Sequence, residues 1–200
     1  INKTITSINN FTGKFDGNNH TISNIRIESG NPIFYQLTGG TIKNLYVENY
    51  RDLSYYSYVG FIGLVQSSGD VENVHLKGVT LYGSYRVGGI AAYTYGSTIS
   101  DCSVTDIKVY INDEKHKSYE GRIGGFIGEN NTTIIENSFV HGLDMNVTQA
   151  FATYGVGGFI GRNNSGYVYN SYAQGMLNTT AVEVGGIVGN NSGYISRVFS

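Results

Sequence analysis

Glu72 and Glu136 are the carboxylates whose placement invites a chemical reading. They hold the same position of a recurring motif, Val71-Glu72-Asn73 and Ile135-Glu136-Asn137. In a stack of parallel strands they stand two rungs, about 9.6 Å, apart, near the upper limit for an inverting carboxylate pair. The same position elsewhere holds Ser23, Lys43, Ser100, Tyr169 and Ser196, which reads as a solvated column, and a polysaccharide lyase or hydrolase stands as an alternative. The histidines His20, His75, His116 and His141 show no H-E-x-x-H, the spacing that puts two imidazoles one helical turn apart to hold zinc. Cys102 is the only cysteine, so neither an intrachain disulfide nor a cysteine metal cage can form. Gly155-Val-Gly157-Gly158-Phe-Ile-Gly161 lacks the Lys-Ser/Thr pair and the following helix of a phosphate cradle, and the calcium nonapeptide G-G-x-G-x-D does not occur. The sequence therefore nominates no catalytic residue, no metal and no cofactor.

Binding chemistry is better represented. Tyr50, Arg51, Tyr55, Tyr56 and Tyr58 crowd one insertion, and Tyr82 and Tyr85 recur at nearby places in the following rung. Tyrosines beside a guanidinium can stack on sugar rings or anchor a protein contact. A column of alternate residues, Arg26, Tyr46, His75, Ser103, Phe139, Tyr172 and Phe199, turns outward and becomes aromatic toward its end, which adds Phe139 and Tyr172 as candidates. Asn112 to Tyr119, the longest charged insertion, reads as a solvated loop.

The elements that must position these residues come from repetition. Val156-Gly-Gly-Phe-Ile-Gly161 returns in variants at Val59, Val87, Ile123 and Val184. A second motif starts at Ile22, Ile42, Val71, Ile99, Ile135, Val168 and Ile195, about 20 to 36 residues apart, a period of solenoid size. The units are short runs rich in β-branched residues and tyrosine between Gly and Asn turns, too short for a helical solenoid. Asn163 to Gly166, Asn190 to Gly193, Asn130 to Thr133 and Gln66 to Gly69 read as corners between two strands of one coil. Asp16-Gly-Asn-Asn19 reads as a turn before the first strand.

Within the second motif Asn24, Asn44, Asn73, Asp101, Asn137 and Asn170 share one position. Stacked about 4.8 Å apart, such side chains can bond to one another and to the backbone of a bend, a structural ladder. Arg197 interrupts it and suggests a different corner or an end of stacking. Alternation after the ladder residue turns inward the pairs Leu45/Val47, Val74/Leu76, Cys102/Val104, Ser138/Val140 and Ser171/Ala173, with Ile25/Ile27 before them.

A formal charge of −2, with 13 basic against 15 acidic residues and no basic run, excludes a nucleic-acid binder. No apolar run reaches the ~20 residues of a membrane-spanning helix, and INKTITSINN is not a signal peptide. A last repeat that stops at Ser200 and a first residue other than Met suggest a piece of a longer protein.

The pattern VGGFIG followed by NSGYVYNSYA resembles the GLUG motif of bacterial surface proteins over residues 59 to 200. The ordered series Gly30-Asn-Pro-Ile-Phe34 to Asn44-Leu45, then Val59-Gly-Phe-Ile62, Val71-Glu-Asn-Val-His75 and Val87-Gly-Gly-Ile90, is similar to the region upstream of the catalytic domain in immunoglobulin-A-protease-family zinc metallopeptidases. The resemblance implies a cell-wall or secreted location and an accessory part in engaging host glycoprotein. The sequence predicts an all-β, right-handed parallel β-helix of six to seven rungs spanning residues 1–200 as a single module, with opening rungs over 1–40 and GLUG-type rungs over 41–200. A monomeric module without membrane insertion, binding host glycoprotein or glycan, is the leading expectation; an adhesin stalk without a peptidase is the alternative, and a purely structural stalk is the non-binding one.

Overall fold

The computed structural model describes residues 6–111, 121–148 and 155–200. Each circuit of the chain lays down a long strand, a two- or three-residue strand and a strand of four or five residues. Circuit upon circuit, these stack into three sheets of nine, five and six strands. Every strand pairing among the described residues is parallel. The protein is an all-β parallel solenoid with six turns in its best-defined sheet, Phe34–Thr38, Ile62–Gln66, Ala91–Tyr95, Ile127–Asn131, Ile160–Asn164 and Val188–Asn191.

The long sheet bends where a column of residues adopts a left-handed backbone. Asn44, Asn73, Asp101, Asn137 and Asn170 have φ of 53°, 53°, 55°, 52° and 46°. Asn and Asp tolerate this region better than other side chains, so conformation explains the column before any side-chain bond does. The bonds are partial: Asn44 Nδ2 donates to Asp16 Oδ1 at 3.0 Å, Asn73 to Asn44 at 2.9 Å and Asn170 to Asn137 at 3.2 Å. Arg197 does not change the corner, since it takes the same bend at φ 54°.

A register shift near the start corrects the sequence alignment. Phe15, not Ile22, pairs with Ile42, and Asp16-Gly17-Asn18-Asn19 forms a bulge inside the first long strand, Lys14–Ile27, instead of a turn before it. Asn18 and Asn19 are both left-handed, and Asp16 Oδ1 holds the bulge by accepting from Asn18 N at 2.9 Å. Asn24 consequently leaves the nominated column, and its Oδ1 accepts from Asn49 Nδ2 at 3.1 Å. It heads a second left-handed column, Asn24, Asn49, Gly78, Asp106 and Gly142. Arg26 and Ser23 leave their columns for the same reason, pairing with Arg51 and Glu48.

The core is one continuous apolar stack. Leu45, Val47, Val74, Leu76, Cys102, Val104 and Val140 are buried as alternation requires, and Phe126 lies flat on Phe159 at 4.5 Å. Where the inner residue shrinks to serine, hydroxyls take over: Ser138 Oγ donates to Glu136 O at 2.8 Å and accepts from Cys102 N at 3.1 Å. The Gly-rich motif folds the five-stranded sheet back against the six-stranded one. A Cβ on Gly128 would stand 2.6 Å from Ala92 O and 2.9 Å from Arg122 O, so backbone meets backbone there.

The corner after the six-stranded sheet carries a buried asparagine ladder that sequence reading took only for turn residues. Thr94 Oγ1 donates to Asn130 Oδ1 at 3.0 Å, Asn130 Nδ2 to Asn163 Oδ1 at 2.9 Å, and Asn163 Nδ2 to Asn191 Oδ1 at 2.9 Å. The same amides close their own turns on Thr133 O and Gly166 O, at 3.2 and 3.3 Å. Asn130 and Asn163 are fully buried.

Candidate functional site: a tyrosine and arginine corner

The nominated tyrosines lie where the long sheet passes into the five-stranded one. The loop between Thr41–Asp52 and Tyr58–Val59 is pinned by Asp52, whose Oδ1 accepts from Ser54 N at 3.1 Å and Ser54 Oγ at 2.6 Å. Asp52 points inward. Burial pushes its pKa up to about 6 against the opposing hydrogen bonds from Ser54. Tyr50 is a correction to the expected surface patch: it is fully buried against Phe61, its hydroxyl donating to Gly60 O at 2.7 Å. Alternation from Leu45 and Val47 would have turned Tyr50 outward; the left-handed backbone at Asn49, φ 55°, shifts the phase, so that Tyr50 and Asp52 face inward and Arg51 outward.

The remaining tyrosines divide into two sets. Tyr55 packs on Tyr82 at 5.6 Å and Tyr82 on Tyr110 at 5.0 Å, a stack climbing three coils along the edge of the long sheet. Tyr56 beside it is 49% exposed. Around the turn at Gly83, Tyr58, Tyr85 and Tyr93 surround the Arg86 guanidinium at 5.3, 4.4 and 4.7 Å from their ring centres. Arg86 also donates to Tyr58 Oη at 2.9 Å. Burial raises the Tyr58 pKa.

Behind this cage stands Glu129, which sequence reading missed. Its Oε2 accepts from Arg86 Nε at 2.6 Å and lies 3.3 Å from Arg122 Nε, while Oε1 is 3.9 Å from Arg162. Burial works against the Arg86 charge, but the hydrogen bond and charge of Glu129 prevail and raise its pKa. These residues come from separate coils. Aligning the Gly-Gly motifs alone would have found them: Arg86 and Arg122 precede Val-Gly-Gly and Ile-Gly-Gly, and Tyr93, Glu129, Arg162 and Asn190 share one later position.

Phe139 and Tyr172 lie elsewhere. They stack at 4.9 Å with planes 1° apart, and Tyr172 continues onto Phe199 at 5.1 Å. This column sits seven residues along the strand from the Tyr110 column, about 20 Å away. Ser103 of the same column is buried, its hydroxyl 2.9 Å from His75 Nδ1. Glu72 and Glu136 remain separated by Ser100, and the surface depression beside Lys43 and Glu72 does not reach Glu136. Cys102 is buried, and desolvation lifts its thiol to about 12. Among the described residues, no group of three or more His, Cys, Asp or Glu side chains is placed to hold a metal ion. The insertion Asn112 to Tyr119 and His116 lie outside the described residues.

The architecture defines a stacked β-solenoid whose turns repeat a Gly-Gly strand, a corner and an Asn-bent strand. A family model described as the GLUG motif matches residues 83–110, which make up one turn of the solenoid, from the corner at Gly83 to the end of the next long strand. No curated protein matches the chain. Motif and fold together suggest a non-catalytic β-helix module.

Proposed function

We propose that this chain is a binding and spacing module of a bacterial cell-surface protein, engaging glycan or glycoprotein at the tyrosine and arginine corner, and that it catalyses no reaction itself. The observation that carries the reading is the convergence of Tyr58, Tyr85 and Tyr93 on Arg86 beside the Tyr55–Tyr82–Tyr110 stack. Flat rings held by a rigid scaffold suit the faces of sugars and lose little entropy on contact. Similarity to the region upstream of immunoglobulin-A-protease-family catalytic domains supports an accessory part in a zinc metallopeptidase. The GLUG match supports a surface protein in general.

A glycan and glycoprotein array probed with the chain tests this. Binding is expected, and Tyr55→Ala with Tyr82→Ala should weaken it about tenfold or more, as loss of aromatic anchors does. Unchanged binding in that double variant would refute the corner. Turnover of an acidic polysaccharide, lost in Glu136→Gln, would refute the non-catalytic reading.

A further inference from the structure

At the opposite end of the long strands from the tyrosine and arginine corner, the outer face of the sheet narrows to a ribbon two side chains wide. Each coil contributes a short stretch between two left-handed turns, as from Ser68 to Asn73, Thr132 to Asn137 or Ser165 to Asn170. The middle residue, such as Val71, Ile99, Ile135 or Val168, is buried, so the two beside it face out. Strand pairing aligns these in two columns. One runs from Lys14 through Asp70 to Tyr167 and Tyr194, the other from Asp16 through Lys43, Glu72 and Glu136 to Tyr169. Six steps make the ribbon about 29 Å long, with about 7 Å between the columns.

Its two ends carry different chemistry. Toward the first coil a depression of about 460 Å³ crosses four coils, where the exposed Lys14, Asp70 and Glu72 stand among the hydroxyls of Thr41, Thr98 and Ser100. Toward the last coil Tyr167, Tyr169 and Tyr194 cluster with ring centres 5.7 to 6.4 Å apart, Tyr167 45% and Tyr194 54% exposed. We infer that this ribbon binds a linear, uncharged glycan laid along the solenoid axis, its sugars packing on the tyrosines at one end and exchanging hydrogen bonds with the depression at the other. Width argues for the occupant: the strip is far smaller than the ~800 Å² that each partner of a stable protein complex contributes. So does charge. Lys14 and Lys43 face Asp16, Asp70, Glu72 and Glu136, an excess of carboxylates that repels an acidic polymer, whereas sugar hydroxyls both donate to the acids and accept from the ammonium groups. The ribbon is a surface separate from the tyrosine and arginine corner, and the inference does not depend on the reading proposed there.

Calorimetry with uncharged β1,4-linked oligosaccharides of glucose, N-acetylglucosamine and xylose tests it. At least one series should bind, the hexasaccharide about tenfold or more tightly than the disaccharide, because only the longer chain reaches both ends. Tyr167→Ala with Tyr194→Ala, and separately Lys14→Ala with Glu72→Ala, should each weaken the hexasaccharide about tenfold with thermal stability near that of the parent. Tyr55→Ala with Tyr82→Ala should leave it unchanged. Binding by none of the three series overturns the inference, as does equal affinity for disaccharide and hexasaccharide, or tighter binding of hexagalacturonate. Hexasaccharide binding that falls only in the Tyr55 and Tyr82 variant overturns it too and leaves the corner standing. A deglycosylated protein whose binding is lost with Tyr167 and Tyr194 would make the ribbon a protein contact and equally overturn it.

Discussion

Asn137 and Asn163 sit in neighbouring coils of the same solenoid, at corners of opposite character. Asn137 is exposed on the bend of the long sheet, with φ 52° and one amide bond, from Asn170 at 3.2 Å. Asn163 is fully buried after the six-stranded sheet and bonds to Asn130, Asn191 and Gly166 O. At the first corner the residue serves its backbone. At the second the amide replaces the water that a sealed turn cannot reach, and every donor lost there leaves a buried group unpaired. One residue type thus meets two separate demands, conformational in one corner and polar in the other.

The largest break in this contrast should come from Asn163→Ala, which removes three side-chain hydrogen bonds at once, two of them to buried partners. A loss of about 3 kcal/mol is expected in urea unfolding. Asp52 extends the comparison to a titrating side chain, because it closes a buried turn as Asn163 does but with a carboxylate. Its folded pKa of about 6 exceeds the 3.8 of an ordinary aspartate, so the native state holds the proton more tightly. Stability from this group is complete below about pH 4 and is lost as pH rises to about 6, by roughly 2 to 3 kcal/mol. Asp52→Asn should flatten that fall when urea midpoints are compared across this range, and unaltered pH dependence would show that Asp52 is not its source. The smallest effect belongs to the exposed bend: Asn137→Ala should cost about 1 kcal/mol through its left-handed φ, and Asn137→Gly only a few tenths. If both cost as much as Asn163→Ala, the two corners are alike after all.

Much of this was legible in the sequence for a physical reason. Period-two alternation and recurring Gly-Gly and Asn signals are local, and they placed Leu45, Val74 and Cys102 inside and located the bend. Register is not local. The bulge at Gly17 to Asn19 displaced Asn24 and Arg26 by a few residues, and no feature of Ile22-Ser-Asn24 reveals this. Tyr50 and Tyr56 belong to one aromatic run and differ only in the face their strand or loop presents. Asn163 looked like a turn former because it is one; its second use appears only when Asn130 and Asn191 arrive above and below. Glu129 and its arginines come from three coils and two columns, Arg86 with Arg122 and Glu129 with Arg162; each column is visible once the Gly-Gly motifs are aligned, but the contact between the two columns is not.

Stacking in parallel also fixes how the chain responds to being pulled. The inter-coil hydrogen bonds, such as Ile90 N to Phe126 O at 3.0 Å and Phe126 N to Phe159 O at 2.9 Å, run from coil to coil. Traction along the stack therefore loads them end-on, a few at a time, instead of shearing a whole sheet together. Each coil held only by its neighbours can unspool separately, and the circuit from Thr41 to Asp70 would release about 100 Å of thread. In the spacing role proposed above, that would be a shock absorber built from the same repeats that make the module stiff.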